Sequence, residues 1–401
     1  MKMNGSVFVL GRDPDISLSE LERLFGDSHL IKVIGRQLCL IDIETKNINL
    51  SKIGGSIKVA ELITSDTNFN NDALLEKILV DTLENLTKNA SSKVNLGISV
   101  FDSKLSLKKL NTIKIAIKNH FKNQGQSIRL IPNNSMSLTS AQTLHNNLHK
   151  KNNIELLLDI SKDGLYIAKV TDVQDIESYS YRDRLRPKRD TRVGMLPPKL
   201  AQIMLNLAAG NSQSFKKPDQ ILVLDPFCGT GVVLQEAALM SYKINGTDLS
   251  QKMIDYTQDN LRWIKNRYNL DVNTEGVLEQ GDATSHRWAS KPDIVVSEIY
   301  LGPPITQKAS IEMINKYSAD CRTILEKFLN NLARQTDLGT RLCLAIPAWR
   351  YNNNFIRLTT VDRLPQLGYN QIKFKSINYR PLIYHRQGQF VARELLVLEK
   401  I

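Results

Sequence analysis

At 401 residues the chain has room for two or three domains with an ample core, and its net charge of +12, with a pI near 9.4, draws it to polyanions such as RNA. Its four cysteines, Cys39, Cys228, Cys321 and Cys343, lack CxxC spacing, which speaks against a zinc site or disulfide framework and for a reducing compartment. Met1–Asp13 has no signal-peptide pattern and no apolar stretch reaches the ~18 residues of a bilayer span, so a cytoplasmic protein with no bound metal and no membrane contact is expected.

Ser6–Leu10 reads as a short strand, and Ser17–Phe25 as an amphipathic helix with Ser17 as cap and Glu20 three residues on. Ile31–Ile43 alternates like a hairpin and Val59–Thr64 like another strand. A helix at Asp72–Leu86 leads into a second unit: strand Val94–Val100, helix Lys108–Phe121, strand Ser127–Ile131 and helix Ser140–Leu148. That unit closes on a hairpin, Ile154–Ile160 with Gly164–Val170, whose turn Ser161-Lys162-Asp163-Gly164 carries the Asp-Gly signal. An α/β unit of this kind suits RNA binding, with a positive face from the Lys-rich helix Lys104–Lys122 and Arg129.

The densest charge run is Arg182-Asp183-Arg184-Leu185-Arg186-Pro187-Lys188-Arg189-Asp190-Thr191-Arg192. Alone it would read as solvated coil. Its place ahead of the apolar strand and glycine-bearing turn of Ile221–Gly231 points instead to phosphate contacts from Arg182, Arg184, Arg186, Lys188, Arg189 and Arg192, which would hold RNA and set its register. The helix Pro198–Leu207 follows it.

Ile221–Gly231 is the most informative segment. An apolar strand ends in Asp225, and Pro-Phe-Cys-Gly-Thr-Gly turns into a helical run, Val232–Met240. Such a loop throws Asp225, Phe227 and the amides of Gly229, Thr230 and Gly231 into the crevice where open α/β sheets bind ligands. A P-loop would end in Gly-Lys-Ser/Thr, and a dinucleotide loop would carry a third glycine. Neither is present, and a carboxylate at Asp225 suits a cation, such as the ammonium of a methionine moiety. A second strand, Tyr242–Thr247, ends in Asp248, placed for ribose hydroxyls. A third, Gly276–Gly281, ends in Asp282-Ala283, near where an adenine amine would sit. Three strand-end acids at this spacing point to S-adenosylmethionine (SAM) as cofactor on a Rossmann-like domain.

The fourth strand enters Ser297-Glu298-Ile299-Tyr300, and Arg341–Pro347 reads as the fifth. Ile372–Asn378 and Phe390–Leu398 read as a closing pair turning at Tyr384–Gly388. A hairpin of this kind, with an antiparallel last strand, is what the methyltransferase form of the fold adds. Trp349 reads as a buried sheet-edge residue, and His286 and His385 as structural or surface residues.

Asp225–Gly231, Arg186–Arg189 and Gly194-Met195-Leu196-Pro197-Pro198-Lys199-Leu200-Ala201 together resemble the THUMP-domain RNA guanine N2-methyltransferases, most nearly the archaeal and eukaryotic enzymes acting on guanosine 10 of tRNA. Leu10–Glu22 is similar to the opening of those proteins, and Ser140–Asn146 to their THUMP helix. The resemblance implies a seven-stranded class I SAM methyltransferase domain at 196–401 and a basic linker at 176–195. Before them it implies a THUMP-like RNA-binding domain at 66–175 and an amino-terminal α+β, ferredoxin-like region at 1–65. It also implies tRNA as partner and transfer to an exocyclic N2 amine, another guanosine or adenosine amine of tRNA or rRNA being the alternative.

An exocyclic amine is a poor nucleophile because its lone pair delocalises into the ring, so the site must accept its hydrogens and stack the base. The family usually does this with Asp-Pro-Pro-Tyr. Here Tyr300 keeps the stacking place, Ser297 is neutral and shorter than Asp, and Glu298 offers a carboxylate one position off. Pro303-Pro304 follow three residues later. Ser297, Glu298 and Tyr300 are the candidate catalytic residues. The departure from the family's pattern leaves a SAM- and RNA-binding protein without chemistry as the other reading.

Overall fold

The computed structural model describes residues 5–401 except 27, 30, 68, 70–73, 89–92, 163, 191–194, 212–215, 306–309 and 353. Asp163, Arg192 and Gly194, and the start of the helix expected from Asp72, lie outside the described residues. The chain forms two compact units, one of residues up to Leu18 with 25–176, the other of 19–24 with 177–401.

One eight-stranded sheet carries the first unit. Its order is β2 (Ile31–Ile34), β3 (Leu38–Ile41), β1 (Ser6–Leu10), β4 (Ser56–Asp66), β8 (Gly164–Val173), β7 (Ile154–Ser161), β5 (Val94–Phe101), β6 (Ile128–Leu130). The long strand β4 decides this, pairing antiparallel with β1 on one side and β8 on the other. The division expected between residues 65 and 66 therefore falls inside a strand, and 1–65 and 66–175 share one sheet. Helices α2 (Leu75–Thr87) and α3 (Leu107–Asn123) join its core through Leu79, Leu83, Ile113, Ile117 and Phe121.

In α3 the apolar residues recur three and four apart, and Ser106 caps the helix by accepting from the Lys109 amide. Lys104, Lys108, Lys109, Lys118 and Lys122 are exposed, as the positive face requires. Lys114 is not. It points inward, donates to Ile131 O at 2.7 Å and Asn133 Oδ1 at 2.6 Å, and burial pushes its ammonium down to about 8. Elsewhere in the unit Lys58 and Glu155 form a fully buried ion pair at 2.5 Å, and Ser99 and Thr143 donate to the same carboxylate.

The second unit is built on a nine-stranded sheet. Its main path runs β11 (Leu278–Gln280), β10 (Lys243–Asp248), β9 (Leu222–Asp225), β12 (Ile294–Glu298), β13 (Arg341–Tyr351), β17 (Val391–Lys400), β15 (Tyr369–Gln371). Strands β9 to β13 are parallel to one another, and β17 is antiparallel to β13, β15 and β16. This is the expected seven-stranded arrangement with an antiparallel last strand. Two short strands enlarge it, β14 (Asn354–Arg357) on β13 and β16 (Leu382–Tyr384) on β17. The strand expected at Ile372–Asn378 is absent: a 3-10 turn occupies Lys375–Ile377, and Asn378 and Tyr379 take positive φ. Its pairing role falls to β15 and β16.

Helices α5 (Ile176–Arg184), α6 (Pro198–Ala209), α7 (Val232–Leu239), α8 (Gln251–Tyr268) and α9 (Ile311–Ala333) complete the unit. Nearly all of α6 and α7 is buried, including the polar side chains of Gln202, Asn206, Gln235 and Glu236. From β9 the chain steps outward to β10 and β11, then returns to the other side of β9 at β12. The switch point between β9 and β12 is where such a sheet opens a crevice beyond its carboxyl ends.

Candidate functional site

The loop after β9 enters that crevice. Gly229 has φ 52° and Gly231 φ 79°, the left-handed region that side chains avoid. At Gly231 a Cβ would also lie 2.6 Å from Thr257 Cγ2, whereas at Gly229 it would meet nothing within 4 Å, leaving that side of the loop open for a ligand. Helix α8, which the sequence pattern did not reveal, holds the loop in place. Thr257 Oγ1 donates to Gly229 O at 2.7 Å and Asn260 Nδ2 to Thr230 O at 2.8 Å.

Two of the three amides expected to face the crevice are used by the fold itself. Gly229 N donates to Asp248 Oδ2 at 2.9 Å and Gly231 N to Cys228 O at 2.7 Å. Phe227 turns back to the core and packs edge-on against Phe328, their ring centroids 5.2 Å apart.

The strand-end acids differ sharply in environment. Asp225 is 2% exposed; it accepts from Ser297 Oγ at 2.6 Å and from the Phe227 amide at 3.3 Å. Burial pushes its carboxyl up to about 7, with Asp248 and Glu298 adding to the rise and the two hydrogen bonds opposing it. A buried acid in that state gains from a cation beside it. Asp248 also accepts from the Ser250 amide at 2.9 Å, and Leu249 next to it is 71% exposed. That apolar residue is not among the expected site residues, although its place straight after a strand-end acid was the signal: it offers a face for a planar ring. Asp282 is exposed and accepts from the Thr284 amide and hydroxyl, while Ala283 is buried.

On the far side of the switch point lie the candidate catalytic residues. Ser297 is wholly buried, its hydroxyl given to Asp225. Glu298 is ion-paired with Arg393 of β17, which is 5% exposed. Glu298 Oε1 is therefore committed to Arg393. Tyr300 is 44% exposed, in keeping with a stacking surface. Trp349 is buried at 1% exposure. His286 sits 3.2 Å from Glu279.

Residues 186–367 match the family model of the RMKL-like methyltransferase domain. Over 154 residues the chain is 34% identical to a tRNA (guanine(10)-N2)-dimethyltransferase of Methanothermobacter thermautotrophicus, covering 38% of this chain and 39% of that protein. Over 111 residues it is 37% identical to the protein of the same name from Methanocaldococcus jannaschii, covering 28% of each. The chain thus matches well under two thirds of the length of these relatives. In fold it is similar to TrmN from Thermus thermophilus, with a TM-score of 0.54 at 14% identity over 99% of this chain and 100% of that one. A possible methylase from Clostridium difficile 630 gives 0.50 at 12% identity over 98% and 97%.

The basic run leading into the methyltransferase domain divides into two kinds of residue. Arg182 is buried: its Nε donates to Glu236 Oε1 at 2.7 Å, Nη2 to Oε2 at 3.1 Å and Nη1 to Ser178 Oγ at 2.6 Å. Arg186 is 3% exposed and donates to Met195 Sδ at 3.0 Å. Neither is presented to an RNA phosphate, because the segment around Arg182 folds as α5 and packs on α7. Arg184 and Arg189 are exposed, and Lys188 is partly so, 3.4 Å from Asp259. The backbone of Lys188 is held at both N and O by Asn260, the residue that also grips the glycine loop. Among the described residues no group of three or more metal-ligating side chains occurs, and no helix is long and apolar enough to cross a membrane.

Proposed function

We propose that this protein is a SAM-dependent methyltransferase acting on the exocyclic N2 amine of a guanosine in tRNA, at position 10. One observation carries the reading: Asp225 and Asp248 end two adjacent parallel strands and Asp282 follows a third by two residues, around an open glycine loop, in a chain whose relatives bear the name tRNA (guanine(10)-N2)-dimethyltransferase. The cofactor fits the residues present. Asp225 takes the ammonium, Asp248 the ribose hydroxyls, Leu249 the adenine face and Asp282 the adenine amine.

When bound, SAM supplies a methyl group already activated on its sulfonium, so alignment of the amine is the main demand on the protein. Tyr300 stacks the extruded base, and Arg393 fixes the loop that carries it by holding Glu298. Exposed Arg184, Lys188 and Arg189 contact phosphates.

The test is incubation with radiolabelled SAM and total tRNA or rRNA, followed by mass spectrometry of the labelled nucleoside. N2-methylguanosine is expected, and N6-methyladenosine would replace guanosine by adenosine as target. A second reading, SAM and RNA binding without transfer, is favoured by one fact: the side chains of Ser297 and Glu298 are both engaged within the protein. Tight binding of both ligands with no labelled nucleoside would establish it.

RNA binding gives a separate expected result. Changing Arg184, Lys188 and Arg189 to Ala should weaken binding and flatten its salt dependence, by roughly 0.7–0.9 in log–log slope for each phosphate no longer neutralised. Filter-binding curves with unchanged slope would show that the run does not touch the phosphates.

A further inference from the structure

Ser297 of β12 gives its hydroxyl to Asp225, and Glu298 Oε1 is paired with Arg393, so both β12 candidates are already engaged within the protein. Another carboxylate stands beside the loop. Strands β12 and β13 are parallel, so α9, which joins them, must begin at the edge where β12 ends. The loop touches the first half of that helix directly: a Cβ on Gly302 would lie 3.7 Å from Tyr317 Cβ and 3.8 Å from Cys321 Sγ.

Tyr317, Asp320 and Cys321 share one side of α9 at spacings of three and four. Cys321 is buried, Tyr317 half-buried and Asp320 exposed. Among the described residues Asp320 makes no hydrogen bond and no ion pair. The Tyr300 hydroxyl senses this surface: desolvation holds its pKa above the usual value, and Cys321, Asp320 and Tyr317 push in the same direction.

Guanine presents two adjacent donors on its Watson–Crick edge, N1–H and N2–H, and one carboxylate can accept both. Adenine presents a donor and an acceptor there, and its N1 lone pair repels a carboxylate. We propose that Asp320 reads the edge of the target guanine, accepting N1–H and one N2 hydrogen while Tyr300 stacks the ring, in place of the acid missing at position 297. The proposal rests on the N2-methyltransferase reading and names the residue that selects guanine. No group is transferred to Asp320; it orients the amine and draws density toward N2.

The test uses the full chain, SAM and two tRNA transcripts, one with the target guanosine and one with adenosine in its place. Asp320 is exposed, so its variants are expected to fold. Asp320→Asn should bind S-adenosylhomocysteine as the unmodified protein does. Transfer to the guanosine transcript should fall by roughly tenfold to 100-fold, the range for losing a hydrogen bond to a charged group. Its preference for guanosine over adenosine should narrow, and Asp320→Glu should restore part of the rate. Glu312→Gln, which removes a surface carboxylate from the same helix, should change none of these. Asp320→Asn with full rate and unchanged preference would overturn the assignment while leaving the N2-methyltransferase reading intact. Failure of the unmodified protein to label either transcript would sink both.

Discussion

Arg182→Ala should destabilise the methyltransferase unit by about 3–5 kcal/mol, because it strips the buried Glu236 carboxylate of its hydrogen-bonded counter-ion. Glu236 is 1% exposed and would lose both bonds from the guanidinium at once, while Ser178 would lose one of its partners. Trp263, Trp288 and Trp349 all lie in the second unit, so denaturant unfolding followed by tryptophan fluorescence reports on that unit. Arg182→Met with Glu236→Leu should recover most of the loss, since an apolar pair of similar volume avoids the desolvation of two charges. RNA affinity measured on the folded fraction should not change. A cost below about 1 kcal/mol, with a flatter salt dependence of RNA binding, would return Arg182 to the RNA-facing surface.

Asp225 gives the second large effect, on SAM affinity and its pH dependence. Its carboxyl is raised to about 7 by burial, so the folded, ligand-free chain keeps a proton that the unfolded chain loses near pH 4. The sign follows from linkage: stability contributed by the neutral acid is present at low pH, is lost as pH rises from about 4 to about 7, and changes no further above that. The ammonium of SAM prefers the ionised form, which reverses the trend for binding. Affinity should rise by nearly tenfold per pH unit below about 7 and level off until the ligand's own amino group deprotonates near pH 8. Asp225→Asn should abolish the rise. It should also cost about 1.5–3 kcal/mol at pH 7.5, roughly tenfold to more than 100-fold in Kd. Calorimetry between pH 5.5 and 8 decides. A flat profile in the unmodified chain, or an unchanged Kd in Asp225→Asn, would remove Asp225 from the cofactor site.

What could be read from the sequence was local. The strand ending in Asp225, the glycines that permit φ 52° and 79°, the acid closing β10 and the acid just beyond β11 each depend on a few consecutive residues. So do most strands and the apolar spacing of α3. The parallel sheet with its antiparallel last strand followed from the order of those elements.

Helices α8 and α9 escaped, as did α5, whose residues read as a basic linker. In α9 the buried positions 314, 321, 325, 328, 329 and 332 keep helical spacing. In α8 the stripe is interrupted by buried Thr257 and Asn260, whose side chains are polar because they bond the glycine loop. A functional demand had overwritten the periodicity there.

The rest was decided by pairings across distance, which no local pattern encodes. Arg182 finds Glu236 54 positions on, Ser297 finds Asp225 72 positions back, and Glu298 finds Arg393 95 positions on. Each pairing turns a residue that reads as free and functional into one committed to the fold, because a charge or hydroxyl leaving water must be matched in the interior. The same holds for β4, whose partner β8 lies about a hundred residues away and joins two expected regions into one sheet. Composition and motif by themselves determined a basic chain with a SAM-type crevice. Which of its arginines and carboxylates remain available to a ligand was settled only by the tertiary structure, through the cost of burying an unpaired charge.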